Sequence, residues 1–192
     1  MNKQYTFNTD IVSSHFEVEG SQIRLKNETL KQVGNRWISL DLKWTPIEGA
    51  KSYGLMIIDY EASRVVGQPF IHWVAANIKT NYLEEGANID AKGHVNGVNS
   101  TSPGKTDDTE GVLIESIPGG FKATTIHTAS DYFPPAPPDK PHQYTIKVFG
   151  LDVEDLDVKA PFFIGDWYNK ALTHVVGIRS LNFWFCPDHE KK

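Results

Sequence analysis

The feature that most limits the possible folds is a cluster of prolines late in the chain. Five of the 11 prolines lie between Pro134 and Pro141. Proline fixes φ and has no backbone N–H, so this segment can neither continue a helix nor join the middle of a sheet. The cluster therefore predicts a stiff, extended or turning loop.

A strand with regular alternation follows this loop directly. His142, Tyr144, Ile146 and Val148 fall on one face, and the intervening residues on the other are polar. The inward face is therefore apolar except at its beginning. A rigid loop that brings a histidine and a tyrosine to the end of an apolar face predicts a ligand site.

Composition limits the class of protein and its partners. The 192 residues fit one domain, and 40% hydrophobic with 22% charged residues is ordinary for a globular protein. The net charge of −5 with no basic patch argues against nucleic acid as a partner. Cys186 is the only cysteine, which excludes an internal disulfide and a thiolate metal cluster.

No targeting signal or membrane segment is recognisable in the sequence. The first 20 residues lack a basic start followed by an apolar run, and no apolar stretch approaches 18 residues. We therefore expect a cytoplasmic protein that does not span a membrane.

The remaining pattern consists mostly of short strands. Runs of strand length cover residues 15–18, 22–25, 37–44, 52–59, 70–78, 142–149 and 177–185. Residues 112–117 and 121–128 flank a Pro-Gly-Gly turn and predict a hairpin, and 167–176 predicts a helix that Asp166 could cap. The chain is thus expected to be one mainly β domain over 1–192, a β-sandwich with one or two short helices near the C-terminus and an irregular insertion at about 79–110.

Three of these strands carry ionisable groups at one end. Asp59 and Glu61 end one run, His72 lies early in the next, and His142 with Tyr144 begins a third. If the strands are neighbours, the imidazoles and the phenol can donate hydrogen bonds to an anion while a carboxylate orients one imidazole. The alternative is that each histidine is an ordinary interior residue with its own partner.

The order of these segments resembles the phosphatidylethanolamine-binding protein family, which includes the Raf kinase inhibitor proteins and bacterial homologues. The resemblance rests on Asp59–Ser63, His72–Ile78, Tyr132–Pro138 and His142–Tyr144, taken in this order. It covers about Trp44–Asp152, with weaker agreement towards the C-terminus. Each segment alone is a weak signal, and their order makes the assignment specific.

The resemblance implies two antiparallel sheets and a pocket for phosphate-like anions. Asp59 is expected to orient His72, while His72 and His142 contact the anion, Tyr144 lines the wall and a proline pair holds the rim. The residues assigned to the pocket, as motif matches or as part of its proline loop, are Asp59, Glu61, His72, Ala136, Pro137, Pro138, His142 and Tyr144.

Three departures from the family pattern bear on the ligand. Tyr60 and Ser63 replace both prolines of the acidic turn, which makes that turn less rigid. Glu61 replaces an aspartate and so moves the carboxylate by about 1.5 Å, one carbon–carbon bond. Pro134–Ala136 replaces a glycine-containing segment, so fewer backbone N–H groups face an anion.

The expected function is non-catalytic binding of an anionic, phosphate-like or headgroup-like small molecule. One alternative is a regulatory protein that binds a kinase, a protease or another partner through the same region. The other is a small hydrolase with Asp59 and His72 as a base pair, although no nucleophile motif or cofactor loop supports it. No metal or other cofactor is expected, since no two histidines have ligand-like spacing. The apolar segment Phe183–Phe185 suits either a homodimer contact or the core.

Overall fold

The computed structural model describes residues 9–102, 123 and 125–186. The strands in this part of the chain are β1 (Ile11–Val12), β2 (Phe16–Glu19), β3 (Gln22–Leu25), β4 (Gln32–Val33), β5 (Arg36–Trp37), β6 (Leu42–Trp44), β7 (Ser52–Asp59), β8 (Phe70–Ile78), β9 (Tyr82–Leu83), β10 (Val95–Asn96), β11 (His142–Leu151) and β12 (Val175–Phe185). The α-helices are α1 (Ser63–Val66), α2 (Ala87–Asp90), α3 (Ile126–Ala129) and α4 (Ile164–Ala171), and a 3-10 turn covers Asn27–Thr29.

A seven-stranded sheet forms the centre of the molecule. Its strand order is β10-β8-β7-β11-β12-β3-β2, beside a three-stranded sheet β1-β6-β9 and a two-stranded ribbon β4-β5. Within the described residues, β12 and β3 pair in parallel through Trp184 and Arg24, and the other strand pairs are antiparallel. The mainly β class is confirmed. A pair of purely antiparallel sheets is not confirmed, because the main sheet is mixed.

The two faces of the main sheet bury separate apolar clusters. Alternate side chains such as Leu55 and Ile57 pack towards the three-stranded sheet. Their neighbours Met56 and Ile58 pack on the other face, with Trp167 of α4 and the loop that precedes it. Strands buried on both faces read as continuous apolar runs, and β7 has this pattern.

The central strands lie where the sequence predicts them, and the outer elements differ. β7, β8 and β11 match their predicted segments, whereas 37–44 divides into β5 and β6. Helix α4 begins at Ile164 rather than Trp167. Asp166 lies inside the helix, in its first turn, and its Oδ2 accepts a hydrogen bond of 2.8 Å from the backbone N–H of Phe163, the residue before the helix. Strand β12 begins at Val175, so the last two residues of the predicted helix, 175 and 176, are extended.

Two predicted segments fall partly outside the described residues. The first arm of the predicted hairpin, 112–117, lies outside them, as does 103–110 of the predicted insertion. In the second arm, Ile126–Ala129 is the short helix α3 and not a strand, and Thr125 Oγ1 caps it by accepting the backbone N–H of Thr128.

The C-terminal aromatic segment belongs to the core. Phe183 is fully buried with its ring 5.0 Å from that of Phe16, and Phe185 is 1% exposed. Of the two readings of this segment, core burial therefore accounts for both phenylalanines. Among the described helices, none is long and apolar enough to cross a membrane.

Candidate functional site

A cavity of about 190 Å³ lies at one end of the three central strands. β7 ends there at Asp59, which pairs with Phe70 of β8 on one side and with Tyr144 of β11 on the other. The polar lining is confined to Asp59 and two histidines. The residues that line the cavity are Asp59, Ala62, Val65, Val66, Phe70, His72, Phe133, Ala136, Pro138 and His142.

The side chain of His72 turns towards the cavity because β8 contains an extra residue at this point. The register steps from Ile57 opposite Trp73 to Ile58 opposite Ile71, which leaves His72 without a partner in the pairing. Such a bulge re-aims a side chain locally. The His72 ring consequently lies edge-on to that of Tyr144 with 5.2 Å between centroids. Strict alternation counted from Trp73 would put the His72 ring on the opposite face of the sheet.

His142 lies between two carboxylates. Its Nδ1 is 2.6 Å from Asp59 Oδ2, its Nε2 is 2.7 Å from Asp139 Oδ1, and its side chain is fully buried. An imidazole can donate both hydrogen bonds at once only when it carries a proton on each nitrogen. The geometry therefore fits an imidazolium, and the contact with His142 holds the pKa of the Asp139 carboxyl below its usual value in spite of some desolvation.

The Asp59 carboxylate is fixed through both of its oxygens. Oδ2 faces His142, and Oδ1 accepts the backbone N–H of Ala62 at 3.0 Å. Asp59 was expected to orient His72, but the histidine it contacts is His142. The carboxylate thus joins the end of β7 to the start of β11.

His72 is a neutral imidazole. Burial lowers its pKa to about 4, against the opposing effects of the Phe133 carbonyl and of Asp59. Nδ1 is 3.0 Å from the carbonyl oxygen of Phe133, which can only accept, so Nδ1 carries the proton. The other nitrogen, Nε2, is then a hydrogen-bond acceptor.

Three of the predicted site residues do not line the cavity. Glu61 forms an ion pair with Lys140, its Oε2 3.0 Å from Nζ, and Pro137 is not in the lining. Tyr144 lies behind the histidines, where its ring stacks on Phe183, and burial raises the pKa of its phenol above the usual value. Asp59, His72, Ala136, Pro138 and His142 are the predicted residues that do come together.

Several residues at the site were not predicted. The apolar wall includes Ala62, Val65 and Val66, which belong to or precede α1, and this turn of helix replaces the looser loop expected there. Asp139 was also missed, because its contact depends on the path of the proline loop. The dipeptide Val65-Val66 beside the acidic turn was the available signal for an apolar wall.

Comparison with known proteins assigns the family. The family model described as phosphatidylethanolamine-binding protein matches residues 13–185. The chain belongs to the phosphatidylethanolamine-binding protein family. The resemblance read from the sequence is thereby confirmed, and membership in this family supports a binding function in general.

Three similar proteins illustrate the range of similarity. The uncharacterized protein YxkA of Bacillus subtilis is 32% identical over 159 residues, which are 81% of this chain and 85% of YxkA. The crystal structure of the phosphatidylethanolamine-binding protein homologue CT736 from Chlamydia trachomatis has a TM-score of 0.60 at 23% identity, covering 86% of this chain and 90% of CT736. The crystal structure of Escherichia coli YbcL, described as a new member of the mammalian phosphatidylethanolamine-binding protein family, has a TM-score of 0.61 at 20% identity, covering 92% of this chain and 97% of YbcL. The two structures support the fold alone.

Metal binding has no support in the described part of the chain. No group of three or more His, Cys, Asp or Glu side chains is placed there to hold a metal ion.

Proposed function

We propose that this phosphatidylethanolamine-binding protein family member binds a small organic molecule without turning it over. The ligand would have an apolar body and a partly protonated acidic group, as in a phosphate monoester. The observation that carries the proposal is the cavity itself, in which Asp59, His72 and His142 converge at one end of apolar walls.

The polar end requires a group that both donates and accepts hydrogen bonds. His72 Nε2 and the Asp59 carboxylate are acceptors, whereas His142 is a donor. A phosphate monoester has a second pKa of about 6, so near that pH it offers both a P–OH donor and charged acceptor oxygens. Sulfate has a similar shape and no proton to donate, so it should bind more weakly.

The walls and the size of the cavity select a compact apolar body. The volume of about 190 Å³ is below the roughly 300–1,000 Å³ typical of pockets for drug-sized ligands. The rings of Phe70 and Phe133 are tilted by 47° with 5.8 Å between their centroids, and Val65 is 39% exposed at α1. A ring or a short chain would fill the apolar part, and any longer portion would extend past α1.

Nuclear magnetic resonance of the imidazoles tests the proposal. Titration at pH 6 with phenyl phosphate should shift the ring signals of both His72 and His142, with a smaller response to inorganic phosphate and the smallest to sulfate. His174 is an internal control, since it pairs with Asp152 Oδ1 at 2.9 Å outside the cavity and should not respond. The proposal is wrong if neither cavity histidine responds at millimolar phenyl phosphate.

The same sample tests for turnover. Phenyl phosphate should remain intact during a long incubation, because the proposed role of His72 and Asp59 is to hold the acid group. Steady release of phenol that disappears in His72→Ala would favour the hydrolase alternative instead.

A further inference from the structure

The hydrogen-bond donor that an anionic ligand needs, the imidazole of His142, already contacts two carboxylates. Both ring nitrogens of His142 lie within 2.7 Å of a carboxylate oxygen, one from Asp59 and one from Asp139. The imidazole ring of His142 has no third atom that can form a hydrogen bond. An anion can therefore accept a hydrogen bond from His142 only after one of these carboxylates has moved.

The two carboxylates differ in how firmly they are held. The Asp59 side chain is 5% exposed, and its second oxygen accepts the backbone N–H of Ala62. The Asp139 side chain is 43% exposed and lies three residues before His142, in the proline loop. Rotation of Asp139 into solvent would leave its carboxylate hydrated, whereas withdrawal of Asp59 would break its contacts with both His142 and the backbone N–H of Ala62.

We propose that the Asp139 carboxylate is a built-in competitor that the acidic group of the ligand must displace from His142 Nε2. This inference rests on the proposed function. The exchange replaces one anion by another, so the imidazolium keeps two anionic partners throughout. Lys140, the next residue, pairs with Glu61 on the acidic turn, so the loop stays attached there while Asp139 turns outwards.

A competitor of this kind lowers the affinity for every ligand that uses His142 Nε2, and it sets the strength of contact that such a ligand must exceed. A ligand with one carboxylate offers His142 the same group that Asp139 already provides, with no advantage in hydrogen bonding. A phosphate monoester adds a further charge, a third oxygen and a P–OH donor for Asp59 or His72. A phosphate-type acid is therefore expected to exceed the contact that Asp139 provides, whereas a simple carboxylic acid of the same shape is not.

Removal of the competitor tests the inference. We expect Asp139→Ala to bind phenyl phosphate about tenfold more tightly than the wild type, and Asp139→Asn to lie between the two, measured by calorimetry at pH 6. Phenylacetate should gain by a similar factor, because the free energy needed to displace Asp139 is the same for every ligand that binds His142. Asp152→Ala is the matched control, because it removes a carboxylate of similar exposure that pairs with His174 outside the cavity, and its affinity for phenyl phosphate should equal that of the wild type.

The salt dependence separates displacement from a general charge effect. Screening at about 1 M salt reduces the Debye length to about 3 Å, so a gain due only to a lost surface charge would vanish there. The gain in Asp139→Ala should persist relative to the wild type. A gain that disappears at high salt, an unchanged affinity or a weaker affinity in Asp139→Ala would each overturn the inference.

The same measurements separate this inference from the proposed function. If neither the wild type nor Asp139→Ala binds phenyl phosphate, the proposed function fails together with the inference. Binding by the wild type without tighter binding by Asp139→Ala refutes the role of Asp139 alone. Binding by Asp139→Ala only would refute the proposed function of the wild type for this ligand and, with it, a competitor that the ligand displaces, because Asp139 would then close the site to phenyl phosphate.

Discussion

At the scale of single residues, His72 links the stability of the fold to pH. Its pKa of about 4 in the folded protein lies below the value of about 6.5 expected for an unfolded chain. Between these values the unfolded state binds more protons, so the free energy of unfolding must fall as the pH falls. From this residue alone we expect a loss of about 2.5 kcal/mol between pH 7.5 and pH 4.5, measured by urea unfolding.

The substitution His72→Asn isolates this contribution. An asparagine amide can still donate to the Phe133 carbonyl, but it does not titrate. The variant should be less stable than the wild type at pH 7.5 and lose about 2.5 kcal/mol less on acidification. Equal pH dependence in His72→Asn and the wild type would contradict a buried neutral His72.

Residue patterns predicted part of the site and missed the rest for local reasons. His142 and Tyr144 were placed on the buried face correctly, because β11 keeps a regular alternation through its first half. The face of His72 was not predictable, since the extra residue in β8 depends on how β7 pairs with it. Asp139 was missed because side-chain contacts within an irregular loop leave no periodic signal.

At the scale of elements, the side chain of Trp167 packs directly on the backbone of β7 at Gly54 and so attaches α4 to the sheet. A Cβ atom on Gly54 of β7 would lie closer than 3.0 Å to three atoms of the Trp167 indole. Gly54→Ala should therefore push α4 outwards and lower the free energy of unfolding by about 1–3 kcal/mol. Denaturant unfolding monitored by tryptophan fluorescence measures this loss.

Gly165 supplies the matched control on the same helix. A Cβ atom there would meet nothing within 4 Å, and alanine is a better helix former than glycine. Gly165→Ala should be neutral or stabilising by up to about 1 kcal/mol. Equal destabilisation by both substitutions would show that the Gly54–Trp167 contact does not determine the position of α4.

Elements with strong local signals were predicted, and their long-range pairing was not. β7 and β8 are apolar runs bounded by charged or turn residues, so their existence and limits follow from the sequence. The parallel pairing of β12 with β3 joins segments from opposite ends of the described chain. Alternation within a strand carries no information about the direction of its partner, so the mixed sheet could not be predicted.

At the scale of the whole molecule, the main sheet separates the cavity from α4. The cavity lies at the end of β7, β8 and β11, between α1 and the proline loop, whereas α4 packs with the second apolar cluster on the far face. The two segments that enclose the cavity, 59–66 and 133–142, are distant in sequence. A ligand held between them would join them, with no direct contact to the opposite side of the sheet.

Hydrogen exchange measured by mass spectrometry can detect this joining. With phenyl phosphate at ten times its dissociation constant, local opening of residues 59–66 and 133–142 should slow about tenfold, because opening then requires release of the ligand. Residues 164–171 of α4 are the internal control, and over the first minutes of exchange they should be unaffected. Protection of only one cavity segment would place the ligand outside the cavity, and protection confined to α4 would place it on the opposite face. The two cavity segments should lose this protection together in Asp59→Ala, since Asp59 is the residue through which α1, β7 and β11 meet.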